Sequence, residues 1–160
     1  MGMKLIEHIE VGSGGVSSST FSNIPQDGVD LVLFMSARSS AGSVYDSVLL
    51  ATNGSTSTTN ARLRAQANTV GQDSQRAENT ANGSNTGTFG SLSYYFPNYT
   101  ITAPKMVITD FAAPNSSASN TWIGMVATNM DATTAPITSI TISEAVLEHS
   151  TYSLYKITAD

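Results

Sequence analysis

The sequence predicts an all-β fold, an antiparallel β-sandwich of the jelly-roll type with about 8–10 short strands. Three observations lead to this prediction. Short runs alternate between apolar and polar side chains, turn-forming residues separate these runs, and no stretch keeps the period of an amphipathic helix. Because 160 residues are close to the commonest domain size, we expect a single domain over 1–160.

The N-terminal region is predicted to form a β-hairpin. Residues 4–11 alternate in the manner of a strand, and residues 17–21 form a second β-favouring run. Between them, Gly12-Ser13-Gly14-Gly15 supplies residues that accept a positive φ. We therefore expect these two strands to pair with each other.

The next strand is predicted to lie in the centre of a sheet. A turn-forming Asp27-Gly28 precedes the apolar run 31–34, which is typical of a strand buried on both faces. The same signals predict further strands at 47–52, 61–67, 90–96, 105–111, 121–128, 137–143 and 151–157.

Residues 69–88 are almost free of large apolar side chains, so the sequence predicts one long exposed loop there. Long loops in compact domains are often interaction elements, although a flexible spacer is the alternative. The loop residues chosen as candidate partner contacts are Gln72, Asp73, Arg76, Asn82 and Asn85.

Two aromatic residues join the candidate contacts. Tyr99 ends the aromatic stretch 94–99, in which Tyr94 and Phe96 are expected to fill the core. The remaining rings would suit a stacking platform for a sugar or an interface anchor. Trp122 is expected either in the core or in a subunit interface.

Charge and composition exclude several classes of partner. The formal net charge is −5 with a pI near 4.8, and the few basic residues are scattered, so we expect no nucleic-acid ligand. No cysteine is present, which excludes disulfides and thiolate metal sites. We also expect no signal peptide, no transmembrane segment and no membrane partner.

The sequence contains no convincing catalytic motif. Its only histidines are His8 and His149, without a third ligand at a recognisable spacing. Glu144 and Glu148 are close in sequence but flank a connection where solvated charge is the default. We therefore predict no catalytic, cofactor-binding or metal-binding residues, no cofactor and no enzymatic activity.

Four short motifs, spread along the chain, carry a family resemblance. They are IEVGSGG at 9–15, FSNIPQDG at 21–28, SARS at 36–39 and FPNY at 96–99. As a set they resemble a family of small virion structural proteins of tailed bacteriophages, many from aquatic environments. The resemblance implies a virion location and supplies no catalytic residues.

Within that resemblance two roles remain open. The first is a capsid decoration, or cement, protein on the outer shell, with the major capsid protein as partner. Such a protein is expected to be a symmetric homo-oligomer, with a trimer as the working assumption. The second is a tail or fibre module that binds a host surface glycan. The neutral, hydroxyl-rich composition favours decoration of the capsid exterior.

Overall fold

A computed structural model of the protein describes residues 1–56, 59–66, 69–83, 87–115, 121–130 and 134–159. These residues contain no helix. Their strands are β1 (Gly2–Glu10), β2 (Ser19–Phe21), β3 (Asp30–Ala37), β4 (Tyr45–Ser47), β5 (Leu49–Thr52), β6 (Ser55–Thr56), β7 (Thr59–Gln66), β8 (Thr69–Asp73), β9 (Glu78–Thr80), β10 (Gly90–Phe96), β11 (Lys105–Ala113), β12 (Trp122–Met130), β13 (Ile140–Ser143) and β14 (Thr151–Thr158).

These strands pair antiparallel and build one large sheet and two small ones. The eight-stranded sheet has the order β1-β14-β3-β10-β11-β12-β7-β8, the four-stranded sheet has the order β2-β13-β5-β6, and β4 pairs with β9. The first and last strands lie side by side, with Gly2 opposite Thr158. β3 lies between β14 and β10, which confirms its predicted central position. The expected burial on both faces is wrong at Phe34, which is 45% exposed because nothing covers that side of the sheet.

One contiguous hydrophobic core joins the large sheet to the small ones. Because a strand is pleated, every second side chain of the large sheet points into this core. The large sheet contributes fully buried Leu33, Phe96 and Val107, and the four-stranded sheet contributes Phe21 and Ile142. The fold is therefore a β-sandwich, as predicted, whereas its jelly-roll type stays a prediction.

The alternation pattern located the longer strands correctly. Every predicted strand overlaps an observed one, although Ala67, at the end of one prediction, lies outside the described residues. Tyr94 and Phe96 are buried in the core, as expected. The described strands outnumber the predicted ones for two reasons. The predicted strand 47–52 overlaps both β4 and β5, and β6, β8 and β9 have only two to five residues and little apolar content.

The predicted N-terminal hairpin is wrong. β1 pairs with β14 in the large sheet, and β2 pairs with β13 in the four-stranded sheet. The glycine-rich segment does turn, since the Gly15 amide donates to the Gly12 carbonyl at 3.2 Å. However, Val16 next bridges to Val146, so the turn carries the chain from one layer of the sandwich to the other. Turn chemistry fixes a change of direction and not the partner strand.

The prediction of one exposed loop over 69–88 is also wrong. Thr69–Asp73 forms β8 on the edge of the large sheet, and the residues of β9 are buried. The polar side chains of β9 are buried because each has a partner: Glu78 binds Arg62, Asn79 binds Glu144, and Thr80 donates to the Pro114 carbonyl. A scarcity of apolar residues therefore did not mean exposure.

Candidate interaction surface

The large sheet has one face covered by the small sheets and one face open to solvent. We call the second one the open face. Cross-strand partners share a face of a sheet, so the register places the outward residues of all eight strands on this surface. Its exposed large apolar side chains are Met3, Leu5, Phe34, Leu63, Val70, Tyr95, Met106, Ile108, Ile123 and Met125.

The open face has two chemically different halves. The aliphatic half comprises the outward residues of β11, β12, β7 and β8, and among these residues only Asp110 is charged. The aromatic half comprises those of β1, β14, β3 and β10. There the rings of Phe34 and Tyr155 meet edge to face at 5.8 Å, and the Tyr95 hydroxyl donates to Asp30 at 2.7 Å.

A shallow apolar groove of about 320 Å³ runs across the aliphatic half. Leu63, Val70, Ile123 and Met125 supply most of its wall, and Arg64, which the register places on the covered face, borders it. Small-molecule sites combine an apolar wall with several convergent polar groups, which this groove lacks. Its chemistry suits an apolar protein surface better than a small polar ligand.

The basic side chains are largely committed inside the molecule. Arg38 is buried and donates to Asn82, while Lys105 is buried and donates to the Ala103 carbonyl at 2.9 Å. Lys156 binds Asp27 at 2.6 Å. The surface is therefore poor in free positive charge, which is the charge that phosphate contacts require.

Three predicted contact residues meet in one cluster at the β7–β8 end of the sandwich, which we call the Arg62 cluster. The buried Arg62 guanidinium binds both carboxylate oxygens of Asp73 at 2.8 Å and donates to the Arg76 carbonyl at 2.9 Å. Arg64 binds Asp73 at 2.8 Å and lies 4.2 Å above the Trp122 ring. Hydrogen bonds from Arg62 and then Arg64 hold the pKa of Asp73 well below its usual range.

The members of the Arg62 cluster differ in how exposed their side chains are to a partner. Trp122 is buried beside Tyr45, with ring centroids 4.8 Å apart, in agreement with the core alternative of its prediction. The Asp73 carboxylate is partly exposed but is held by the two arginines, so its role as a partner contact stays a prediction. The Arg76 side chain is exposed.

The remaining predicted contacts are scattered. Gln72 is exposed on the open face, opposite Leu63. Asn82 is exposed but accepts hydrogen bonds from Arg38, and Asn85 lies outside the described residues. The prediction for Tyr99 is wrong, because its side chain is fully buried.

Tyr99 is buried because the chain turns inward directly after β10. Asn98 adopts a positive φ of 49°, and its amide donates to Asp30 at 2.8 Å. The Tyr99 hydroxyl then donates to the Pro25 carbonyl and accepts from the Gly28 amide at 3.2 Å. These bonds use the polar end of the ring, so Tyr99 presents no platform to a sugar.

A carboxyl group is buried between the sheets, where the sequence predicted solvated charge. Glu144 is only 5% exposed, and its Oε1 accepts from Asn79 at 3.1 Å, while Oε2 has no hydrogen-bond partner among the described residues. Burial raises the pKa of Glu144 to about 8. Glu144 does not line the apolar groove.

Titratable groups do not converge elsewhere in the described ranges. His8 lies on the open face and bonds to Ser153 at 2.8 Å, and His149 is exposed beside Glu148. No set of three or more His, Asp or Glu side chains within the described residues is arranged to hold a metal ion. Nor does any described segment form a helix with the length and apolar character to cross a membrane.

Comparisons with protein-family models, with curated proteins and with solved structures find no match for this chain. Sequence reasoning missed the open face, although a signal was present. In the segment 122–126 of β12, Trp122 and Val126 face the core while Ile123 and Met125 face outward, so both alternating positions are apolar.

Proposed function

We propose that this protein is a structural component of a tailed-phage virion, a decoration protein that attaches to the outer capsid shell through its open face. The observation that carries the proposal is the uncovered apolar side of the eight-stranded sheet. Large exposed apolar patches are uncommon on monomeric proteins and mark interaction sites. The family resemblance supplies the virion context, and the proposed partner is the major capsid protein.

The size of the open face fits a stable protein contact. Eight strands at about 4.8 Å spacing and about 20–25 Å in length give a face of roughly 800–900 Å². A standard interface buries about 800 Å² on each partner. Because the aliphatic half carries one charge, Asp110, the matching shell surface is expected to be apolar and uncharged.

A reconstruction of the whole virion tests the location. We expect density for the sandwich on the outside of the shell, with the open face turned towards the capsid protein. Density confined to the tail would contradict the decoration role and would favour the glycan-binding alternative. Absence from the particle would remove the virion proposal altogether.

A co-sedimentation assay tests the surface. Purified protein is mixed with shells that lack it, and the double variant Ile123→Lys/Met125→Lys is compared with wild type. Two charges that lose their hydration on binding are expected to weaken binding about 100-fold or more. The matched control is Ser17→Lys/Ser18→Lys, which adds the same charge at exposed positions beside β2. Equal binding by both double variants would exclude the aliphatic half as the contact.

The glycan-binding alternative is supported by aromatic rings other than that of Tyr99, the one predicted from the sequence. Tyr99 is buried, but Phe34, Tyr95 and Tyr155 present rings on the aromatic half, among the hydroxyls of Ser93 and Ser153. Exposed rings flanked by hydroxyl groups are suited to stacking on sugars. The decoration role is preferred because the aliphatic half has no such polar partners.

A further inference from the structure

We propose that β8 is a self-association edge, along which a second copy of this chain adds its own β8 in antiparallel orientation. The large sheet ends in β1 on one side and β8 on the other. Each edge strand presents unpaired backbone amides and carbonyls, and soluble proteins normally protect such edges. The two edges of this sheet differ sharply in their protection.

The β1 edge carries recognised protective features. The register shifts between Leu5 and Glu7, which marks a bulge that interrupts regular pairing. Lys4, Glu7 and Glu10 are charged and exposed along the same strand. Bulges and charges of this kind discourage pairing with another chain.

The β8 edge carries none of these features. It has a regular register against β7, contains no proline or lysine, and exposes Val70 by 72%. Its one charge, Asp73, is neutralised by Arg62 and Arg64. Among the described residues no strand pairs with its outer side.

Gly71, at the centre of β8, gives a further indication. Its φ lies outside the left-handed region, and a side chain built there would meet open space. The monomer therefore does not require a glycine at this position. A glycine inside a strand often marks the close approach of another backbone.

The sequence of β8 is self-complementary when two copies run antiparallel about Gly71. Val70 then lies opposite the second copy's Gln72, and Thr69 lies opposite the second copy's Asp73. No like charges face each other, because Asp73 is the one charged residue of β8 and lies opposite a neutral threonine. A symmetric contact of this kind closes on itself, so it gives a two-fold pair in place of the trimer assumed from the sequence.

This pairing goes beyond the proposed function and does not depend on it. It would join two eight-stranded sheets into one continuous sheet. The two aliphatic halves would then form one band of twice the width, with Val70 from both copies at its centre. A short strand buries little area, so the pair is expected to be weak and to depend on protein concentration.

Sedimentation equilibrium and hydrogen exchange test the pairing in wild-type protein. We expect a monomer–dimer equilibrium and slower amide exchange in 69–73 as the concentration approaches about 1 mM. Unchanged exchange in 69–73 at every concentration would overturn the proposal, even if the protein self-associates elsewhere. Protection in β1 together with β8 would indicate head-to-tail pairing and would also overturn it.

Charge variants sharpen this test. Val70→Lys/Gln72→Lys places like charges opposite each other across the two-fold axis, and Val70→Glu/Gln72→Glu does the same with acidic groups. Each variant alone is expected to lose pairing by about tenfold or more, whereas an equal mixture of the two should regain it. The control Thr59→Lys/Ala61→Lys adds charge to the open face of β7, away from the edge, and should pair like wild type.

The result for the mixture of the two variants shows whether the contact between the two copies lies at β8 or elsewhere. If the mixture fails to associate while both variants fold and wild type dimerises, the contact lies outside β8 and the proposal is wrong. Folding of each variant is checked by its thermal transition, because Val70 and Gln72 are exposed and their replacement should leave the monomer intact. Shell binding is not part of this readout, so the two proposals succeed or fail separately.

Discussion

The two faces of the eight-stranded sheet use similar side chains in opposite ways. On the covered face Leu33 and Val126 are buried, while their chain neighbours Phe34 and Met125 are about half exposed on the open face. The difference lies in what is packed against each face, since the small sheets cover only one of them. Apolar composition alone is therefore a poor guide to burial, and the apolar side chains of the open face contribute little to folding of the monomer.

The largest effect is expected on the covered face. Leu33→Ala should lower the free energy of unfolding by about 3–5 kcal/mol, because it leaves a cavity where the side chain is fully buried. Chemical denaturation at constant pH measures this. A loss below about 1 kcal/mol would mean that the two faces are not as different as their burial indicates.

The next effect concerns the carboxyl group buried behind the covered face. Glu144→Gln replaces the protonated acid by a neutral group of the same shape, and at pH 8 it should raise the free energy of unfolding by roughly 2–4 kcal/mol. The native state keeps the Glu144 proton up to about pH 8, whereas the unfolded chain releases it near the ordinary glutamate pKa of 4.5. Stability of the wild type should therefore fall as the pH rises between these values.

Denaturation curves across this pH range test the assignment. The gain from Glu144→Gln should shrink towards zero below pH 4.5, where both states are protonated. The exposed Glu148→Gln is the matched control, and at pH 8 it should change the free energy of unfolding by no more than about 0.5 kcal/mol. A pH-independent difference between Glu144→Gln and wild type would refute the buried, protonated state.

The smallest effect is expected on the open face. Ile123→Thr should change the free energy of unfolding by no more than about 0.5 kcal/mol, since the side chain is more than half exposed and threonine suits a strand. Thermal unfolding at low protein concentration, where self-association is negligible, measures this. A loss as large as that of Leu33→Ala would show that something in the monomer covers this face.

Local pattern predicted much of the secondary structure and little of the site. The alternation at 90–96 and 105–111 located β10 and β11, because pleating alone imposes the period of two. The same reasoning wrongly predicted a loop at 69–88. Glu78 and Asn79 are buried because they bind Arg62 and Glu144, and local sequence pattern does not reveal such contacts between separate strands. The prediction that Tyr99 is a contact residue was wrong for a related reason, because its burial depends on the distant carbonyl of Pro25 and amide of Gly28.

By itself the sequence determined the all-β class, the longer strands and the shortage of basic residues, because these follow from local periodicity and composition. The tertiary structure alone decided which strands pair, which face of the large sheet stays open, and that β8 forms an edge. A β-strand can pair with any other strand through the same backbone groups. The partner of each strand, and the layer that covers each face of a sheet, are therefore selected by packing over the whole chain.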